Sequence, residues 1–246
     1  MSAGRRGRSR SRERQSDSGI DLTNDEVEYI YKPTPQERKK REAEQAEKFA
    51  EDLGKVARGK AVCAAFVATF TEKTFPKKQG VYMVDVNLGD KGGFDIDKSR
   101  MNTRGGAPGP KRPPNFSGVP AIPPDTLRLC GPVKGPNHFT AVDASLDGGG
   151  VLVETADSMR ARGDPEPSDE EKLCFKYLAA FLDTQAPPWN NANRRHETLM
   201  TPGHRQSGSS CPLWAITNAL ALVEKTARPK DVTEARAAFE RLRARL

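Results

Sequence analysis

Apolar residues recur at three- and four-residue intervals in several parts of the chain, and this spacing predicts amphipathic helices. The first helix begins at residues 34–37 (TPQE), where an N-cap threonine, a proline at the first helical position and a glutamate form a capping box. Residues 168–171 (SDEE) form a second capping box, Pro212 opens another helix, and Asp231 caps the last one. The uniformly apolar run at 61–70 favours a helix, although a buried strand has the same pattern.

Short runs of β-branched and aromatic residues predict strands at 80–88, 126–130, 138–142 and 151–155. Glycine and proline separate the last three runs, as in a small β meander. Together with the helices, this pattern indicates an α+β fold. We expect a helix-rich body with a small β meander, a disordered basic N-terminal arm and a Gly/Pro-rich internal loop.

The composition of the 246 residues indicates four segments. Only 35% of the residues are apolar and 30% are charged, so part of the chain has too little apolar surface to form a core. The predicted segments are a disordered arm at 1–33, a helical segment with a strand at 34–89, a Gly/Pro-rich linker or arm at 90–125, and the meander followed by a helical subdomain at 126–246.

Targeting and cysteine patterns narrow the class of protein further. No apolar run reaches the roughly 18 residues of a membrane helix, and no apolar segment follows the N-terminal basic residues, so we expect neither a membrane span nor a secretory signal peptide. A reducing compartment is then expected, in which the four cysteines stay unpaired. These cysteines form no C-x-x-C pair, and no metal or cofactor is predicted.

Positive charge is concentrated at the N-terminus. Residues 1–14 hold six arginines against one glutamate, whereas residues 15–31 hold five acidic residues and no lysine or arginine. Arginines spaced by serine and glycine have nothing to bury, which predicts a mobile polycation that neutralises RNA phosphates. A nuclear-import or solubility element would have the same composition, and the acidic stretch would either fold back on the arginines or act as a spacer.

The residues predicted to contact RNA combine the arm with basic positions elsewhere, and Phe116 is a candidate for stacking on a base. The predicted RNA-binding residues are Arg5, Arg6, Arg8, Arg10, Arg12, Arg14, Lys39, Lys40, Arg41, Lys111, Arg112, Arg194 and Arg195.

The search for an active site yields one candidate, Cys211. Neither G-x-x-x-x-G-K-[ST] nor G-x-G-x-x-G occurs, which excludes the common nucleotide sites. A helix N-terminus favours the thiolate of a cysteine there, and an order of His, Asp and Cys is available through His138 and Asp143, or through His196 and His204. A cysteine followed by proline, leucine and tryptophan is more often a small buried hydrophobe, so the sequence favours a protein that is not an enzyme.

The arginine-rich arm, the helix-rich body and the weak catalytic signal together resemble the nucleocapsid or coat protein of a small RNA virus. With 19 prolines, 27 alanines and 13 serines, the composition is similar to the proline-alanine-serine-rich protein of polymycoviruses. Proteins of that family associate with or coat double-stranded viral RNA. The resemblance implies a virion structural protein that encapsidates genomic RNA through sequence-independent phosphate contacts and self-association.

The expected partners are therefore viral RNA, single- or double-stranded, and further copies of the chain. The expected location is the virion or the host cytoplasm, with nuclear import through the basic arm. Two other classes remain open. A host-directed RNA-binding regulator, such as a silencing suppressor or nuclear adaptor, would share the arm without self-assembly, and a less favoured cysteine protease would use Cys211.

Overall fold

A five-stranded mixed sheet organises the fold, and it lies between helices. A computed structural model describes residues 34–88, 116, 119–135, 138–159, 166–191, 193–199 and 209–246. Within these ranges five helices accompany the sheet, so the predicted α+β class is confirmed. The predicted arm at 1–33 and most of the predicted loop at 90–125 lie outside the described residues.

The strands follow one another across the sheet in chain order. The two edge pairs, β1 with β2 and β4 with β5, are parallel, whereas β2, β3 and β4 are antiparallel and form the predicted meander. The strands are β1 (Val81–Met83), β2 (Arg128–Lys134), β3 (Phe139–Asp147), β4 (Gly150–Ala156) and β5 (Arg194–Thr198).

Two strands differ from the prediction. β1 covers only part of the predicted strand at 80–88, because the Asp85 carboxylate accepts a hydrogen bond from the Asn87 N–H at 2.8 Å and turns the chain. β5 was not predicted. Its polar sequence RRHET carries little β-branched content, and it pairs with β4 only along one edge.

The register between β3 and β4 is set by a two-glycine turn. Asp147 pairs with Gly150, and between them Gly148 and Gly149 both have positive φ, at 53° and 89°. Two-residue hairpin loops of this kind need left-handed residues, which glycine adopts without strain. The turn therefore fixes which residues of β3 and β4 lie opposite each other along the whole pair.

The helices begin at the predicted caps. The Thr34 and Glu37 side chains exchange hydrogen bonds with each other's backbone N–H at 3.3 and 2.7 Å, Ser168 forms its capping box with Glu171, and Asp231 accepts from two N–H groups. The helices are α1 (Pro35–Ala57), α2 (Ala64–Thr74), α3 (Asp169–Asp183), α4 (Cys211–Glu224) and α5 (Val232–Arg243). Among the residues that the structure describes, no helix has the length and apolar character to cross a membrane.

The sheet separates two apolar clusters. On one face, α4 is the central helix, and it packs with α2, α5 and the second half of α1 against Cys130, Phe139 and Ala141. On the other face, α3 packs through Leu178 and its neighbours against the sheet. Phe116, the predicted base-stacking residue, belongs to this second cluster. The Phe116 and Phe181 rings pack edge to face with their centroids 5.6 Å apart, so Phe116 is part of the core.

α4 is apolar on nearly all sides, as expected of a helix in the centre of a core. Its last carbonyl groups receive charged donors: Arg128 Nη2 donates to the Leu222 carbonyl oxygen at 2.9 Å, and Lys78 Nζ donates to that of Val223 at 3.0 Å. Arg128 is itself held by the carboxylate of Asp143, at 2.5 to 2.9 Å. Cations at a helix C-terminus satisfy its free carbonyls and its dipole, so these contacts fix α4 along its axis.

We expect that Arg128→Met lowers the free energy of unfolding by about 3 to 5 kcal/mol, because it leaves the Asp143 carboxylate buried without its cation. Chemical denaturation measures the difference. The matched control is Arg195→Met, which breaks the exposed pair with Asp147 and costs less than about 1 kcal/mol. Equal losses in the two variants would contradict the structural role of the Arg128 pair.

Candidate active site

Three side chains meet at one edge of the sheet, each from the end of a different element. His138 immediately precedes β3, Asp157 immediately follows β4, and Cys211 is the first residue of α4. Since Ala141 pairs with Ala156 in the antiparallel β3–β4 register, the start of β3 and the end of β4 lie side by side. The register thus brings His138 and Asp157 together, and the N-terminus of α4 adds the thiol.

The three groups interact directly. His138 Nε2 lies 2.6 Å from Asp157 Oδ1, and the Cys211 side chain is close enough to the imidazole to raise its pKa. Their exposed fractions are 7% for His138, 1% for Asp157 and 9% for Cys211, so little water surrounds them. A thiol, an imidazole and a carboxylate in this sequence have the geometry of a nucleophile, its base and a group that orients the base.

Asp157 is held in its charged form by the donors around it. Burial raises the pKa of its carboxyl, but hydrogen bonds from His138, from the Met159 N–H at 2.8 Å and from the Ser168 hydroxyl at 2.7 Å outweigh burial and lower it. A carboxylate that accepts several hydrogen bonds stays ionised even where solvent is scarce. Asp157 is therefore a fixed negative charge beside the imidazole.

His138 responds to that charge. Burial opposes protonation of the ring, but the hydrogen bonds to Asp157 and Cys211 raise the pKa of His138 to about 9. At neutral pH the ring is thus an imidazolium, and it lies beside the Cys211 side chain. Glu170, the second residue of α3, places another carboxyl near the ring. Burial raises the pKa of this Glu170 carboxyl.

The nucleophile is placed by the first turn of α4. Helix first-turn N–H groups lack partners within the helix, and they carry the positive end of its dipole. The side chain of Ser210, the N-cap residue, makes no capping hydrogen bond to that turn. Gly59 lies against Ser210: a Cβ on Gly59 would come 3.3 Å from the Ser210 Cβ, and its φ of +70° already favours glycine.

The other predicted site members have different surroundings. Asp143, predicted as a partner of His138, accepts from Arg128 and from the Cys130 thiol at 2.8 Å, so it serves the core. His196 stacks on Phe175 with ring centroids 4.6 Å apart and hydrogen-bonds to the Thr155 hydroxyl. The triad that forms is therefore His138–Asp157–Cys211, in place of the predicted Asp143 or His196 arrangements. His204 lies outside the described residues.

The predicted RNA-binding residues are scattered. Arg194 pairs with Asp183 at 2.6 Å, and Arg195 pairs with Asp147. The exposed Lys39, Lys40 and Arg41 lie in the first turns of α1. The remaining predicted contacts lie outside the described residues: Arg5, Arg6, Arg8, Arg10, Arg12, Arg14, Lys111 and Arg112.

In the described part of the chain, no group of three or more His, Cys, Asp and Glu side chains has an arrangement that could hold a metal ion. The four cysteines are free, and Cys63 is exposed while the others are buried. Burial raises the pKa of both Cys130 and Cys174, so these thiols are held neutral.

No protein-family model and no curated protein matches the chain. Solved structures do show likeness. The yeast Ulp1 protease domain in complex with Smt3, the yeast ortholog of SUMO, is 15% identical, with 80% of each chain covered and a TM-score of 0.48. SUMO protease Ulp1 with its catalytic cysteine oxidised to a sulfonic acid is 13% identical, with 74% of each chain covered and a TM-score of 0.45. The Ulp1-like SUMO protease catalytic domain of Chaetomium thermophilum is 22% identical over 49% of this chain and 45% of its own, with a TM-score of 0.31.

These findings correct the functional expectations. The resemblance to an RNA-virus nucleocapsid or coat protein is wrong, as is the prediction of no enzymatic activity: His138, Asp157 and Cys211 converge as a base, a carboxylate and a nucleophile would, and the similar structures reported above are those of proteases. RNA and further copies of the chain were expected as partners because of that resemblance, and they are wrong together with it. The assignment of the RNA-binding residues, the segment boundaries and the location stay predictions.

Asp157 is the functional residue that sequence reasoning missed. The predicted strands at 138–142 and 151–155 already contained the signal. In a meander, the start of one strand and the end of the next lie at the same edge, so an acidic residue just after 151–155 is the natural partner of His138. Asp143 lies in the middle of β3 and faces the core.

We expect iodoacetamide to modify Cys211 rapidly in a Cys63→Ser background, because the imidazolium of His138 stabilises the thiolate. His138→Ala should slow this reaction at pH 6 by roughly tenfold or more, since the thiolate loses its counterion. Peptide mass mapping identifies the modified cysteine, and Cys130 and Cys174, whose pKa is raised by burial, act as internal controls that stay unmodified. An unchanged rate in His138→Ala would contradict the ion pair.

Proposed function

We propose that this chain is a cysteine protease that hydrolyses an amide bond through a covalent thioester on Cys211. The observation that carries the proposal is the convergence of three side chains: His138 is held by Asp157 at 2.6 Å, and Cys211, at the N-terminus of a buried helix, interacts with the same imidazole. This constellation has the nucleophile, the general acid and base, and the orienting carboxylate that acyl transfer needs.

In the first half of the reaction, the Cys211 thiolate attacks the carbonyl carbon of the scissile amide, and the carbonyl π electrons move to its oxygen. We expect the positive end of the α4 dipole and the backbone N–H groups of its first turn, to which Pro212 contributes none, to stabilise that oxyanion. When the intermediate collapses, the C–N bond breaks. His138 gives its proton to the departing amine, which leaves a thioester on Cys211 and a neutral imidazole.

In the second half, the neutral His138 accepts a proton from a water molecule as that water attacks the thioester carbonyl. The second oxyanion collapses, the C–S bond breaks, and the acid product leaves with Cys211 as a thiolate beside a protonated His138. Asp157 keeps the imidazole oriented in both halves and stabilises its positive charge. The cycle needs no further co-reactant.

The proposal predicts that Cys211→Ala abolishes hydrolysis and that Asp157→Asn lowers kcat by about 10²- to 10⁴-fold, because the asparagine neither orients nor stabilises the imidazolium. The assay uses two fluorogenic substrates, a peptide aminocoumarin library and Smt3 carrying a C-terminal fluorophore, together with mass detection of a peptide vinyl sulfone adduct. Cys63→Ser is the matched control, since it removes an exposed thiol and should retain full activity.

Adduct formation or hydrolysis that persists in Cys211→Ala would overturn the proposal. So would a wild-type protein that neither cleaves these substrates nor forms the vinyl sulfone adduct.

The pH profile follows from the pKa of His138. The groups that face the ring are Asp157 after β4, Glu170 on α3 and Cys211 on α4. Since the pKa of His138 is raised from 6.5 to about 9, the imidazolium is complete below the ordinary value and is lost as the pH rises through about 9. We expect kcat/KM to fall on the alkaline side near pH 9, and Asp157→Asn should move this limb to lower pH. A limb that stays in place in Asp157→Asn would contradict the assignment.

A further inference from the structure

Ser168 links the N-terminus of α3 to the triad. Its hydroxyl lies 2.7 Å from Asp157 Oδ2, while the same oxygen accepts the Glu171 N–H at 3.1 Å in the capping box. The Asp157 oxygen that faces Ser168 is the one that does not face His138, because the imidazole lies against Oδ1. Ser168 and His138 therefore hold the carboxylate from opposite sides.

The direction of these hydrogen bonds is fixed by the number of protons. A serine hydroxyl has one proton, and the backbone N–H of Glu171 can only donate, so the Ser168 proton is free to go to Asp157. An ionised carboxylate can only accept. The contact is thus a charge-assisted hydrogen bond from Ser168 to Asp157, of the stronger class.

The backbone of Ser168 is also held, through the Glu171 carboxylate. Glu171 Oε2 accepts from the Ser168 N–H at 2.9 Å, and Glu171 Oε1 accepts from the Thr155 hydroxyl at 3.0 Å. Glu171 and Thr155 are both fully buried. Thr155 belongs to β4, two residues before Asp157, so the capping box joins α3 to the same strand that carries the triad aspartate. Ser168 has no freedom to turn away from Asp157 without breaking the start of α3.

We propose that Ser168 is a positioning residue of the triad: through one hydroxyl it caps α3 and orients the Asp157 carboxylate toward His138. This inference rests on the proposed protease function. Ser168, the N-cap residue of α3, then has a second role in catalysis. Without its hydrogen bond the Asp157 carboxylate could rotate, and its hydrogen bond to the His138 imidazole would weaken. Met159 constrains Oδ1 through its backbone N–H, and the Ser168 hydroxyl holds Oδ2.

The two roles of the hydroxyl can be separated by substitution. Ser168→Ala removes both the cap and the donor. Ser168→Asp keeps an excellent N-cap acceptor but has no proton to donate to Asp157 at pH 7.5. Ser168→Thr keeps both functions. A control for the loss of a helix cap alone is Asp231→Ala, which removes the N-cap of α5 and its hydrogen bonds to Thr233 and Glu234.

The experiment measures kcat and KM for each full-length variant, the alkylation rate of Cys211 at pH 6 in the Cys63→Ser background, and the thermal midpoint. A hydrogen bond to a charged group corresponds to a factor of about 10 to 100 in an equilibrium, so we expect kcat to fall by that factor in Ser168→Ala and in Ser168→Asp. The KM should stay unchanged because Ser168 orients Asp157 and not the substrate. The alkylation rate should fall with kcat, and Ser168→Thr should restore both.

Asp231→Ala should lower the thermal midpoint and leave kcat unchanged. Full kcat in Ser168→Asp would overturn the inference, because capping alone would then account for Ser168. A loss of kcat in Asp231→Ala equal to that in Ser168→Ala would overturn it as well. Failure of the protease function is recognised separately, because it would leave the wild-type protein inactive and without a vinyl sulfone adduct, whereas failure of this inference leaves the wild type active.

Discussion

The pairing of β3 with β4 is the constraint on which the site depends. Side chains alternate between the faces of a strand, so a shift of one residue would move the entire pattern to the opposite face. The two-glycine turn at 148–149 prevents that shift. Because His138 precedes β3 and Asp157 follows β4, the same register that sorts the core residues also places the base beside its carboxylate.

The second requirement is a fixed position for the nucleophile. Core contacts at the C-terminal end of α4, the end opposite to Cys211, provide it. α4 is buried on most sides, and Arg128 and Lys78 hold its last carbonyl groups. The opposite end of the helix presents Cys211 to His138. Two helix N-termini thus converge at this edge of the sheet: that of α4, which carries Cys211, and that of α3, whose N-cap Ser168 contacts the Asp157 carboxylate. The negative charge of Asp157 therefore lies at a positive helix end, which the dipole favours.

Most of the elements could be predicted from the sequence, because caps and apolar spacing are local signals. Thr34, Ser168 and Asp231 begin helices as expected, and the meander was visible in its glycine and proline breaks. β5 was hidden, since the sequence RRHET has no strand signature and its arginines suggested a nucleic-acid contact.

Only part of the candidate site could be predicted from the sequence, because the contact of His138 with Asp157 leaves no local signal. Cys211 and His138 were recognised as candidates, but composition outweighed them, and the arginine-rich arm decided the functional prediction. The pairing of His138 with Asp157 is a contact between strands, which depends on register and not on any local motif. Asp143, closer to His138 along the chain, is instead occupied by Arg128 inside the core.

The β3–β4 turn has a consequence for how the chain can change. Gly148 and Gly149 have open space around them, with nothing within 4 Å of an added Cβ. The turn closes the pair at the end opposite to His138 and Asp157. An insertion at this point would lengthen a surface loop at small entropic cost, but it would also remove the turn that sets the β3–β4 register. Changes at the hairpin tip would therefore act on His138 and Asp157 at the far end of the strands without touching either residue.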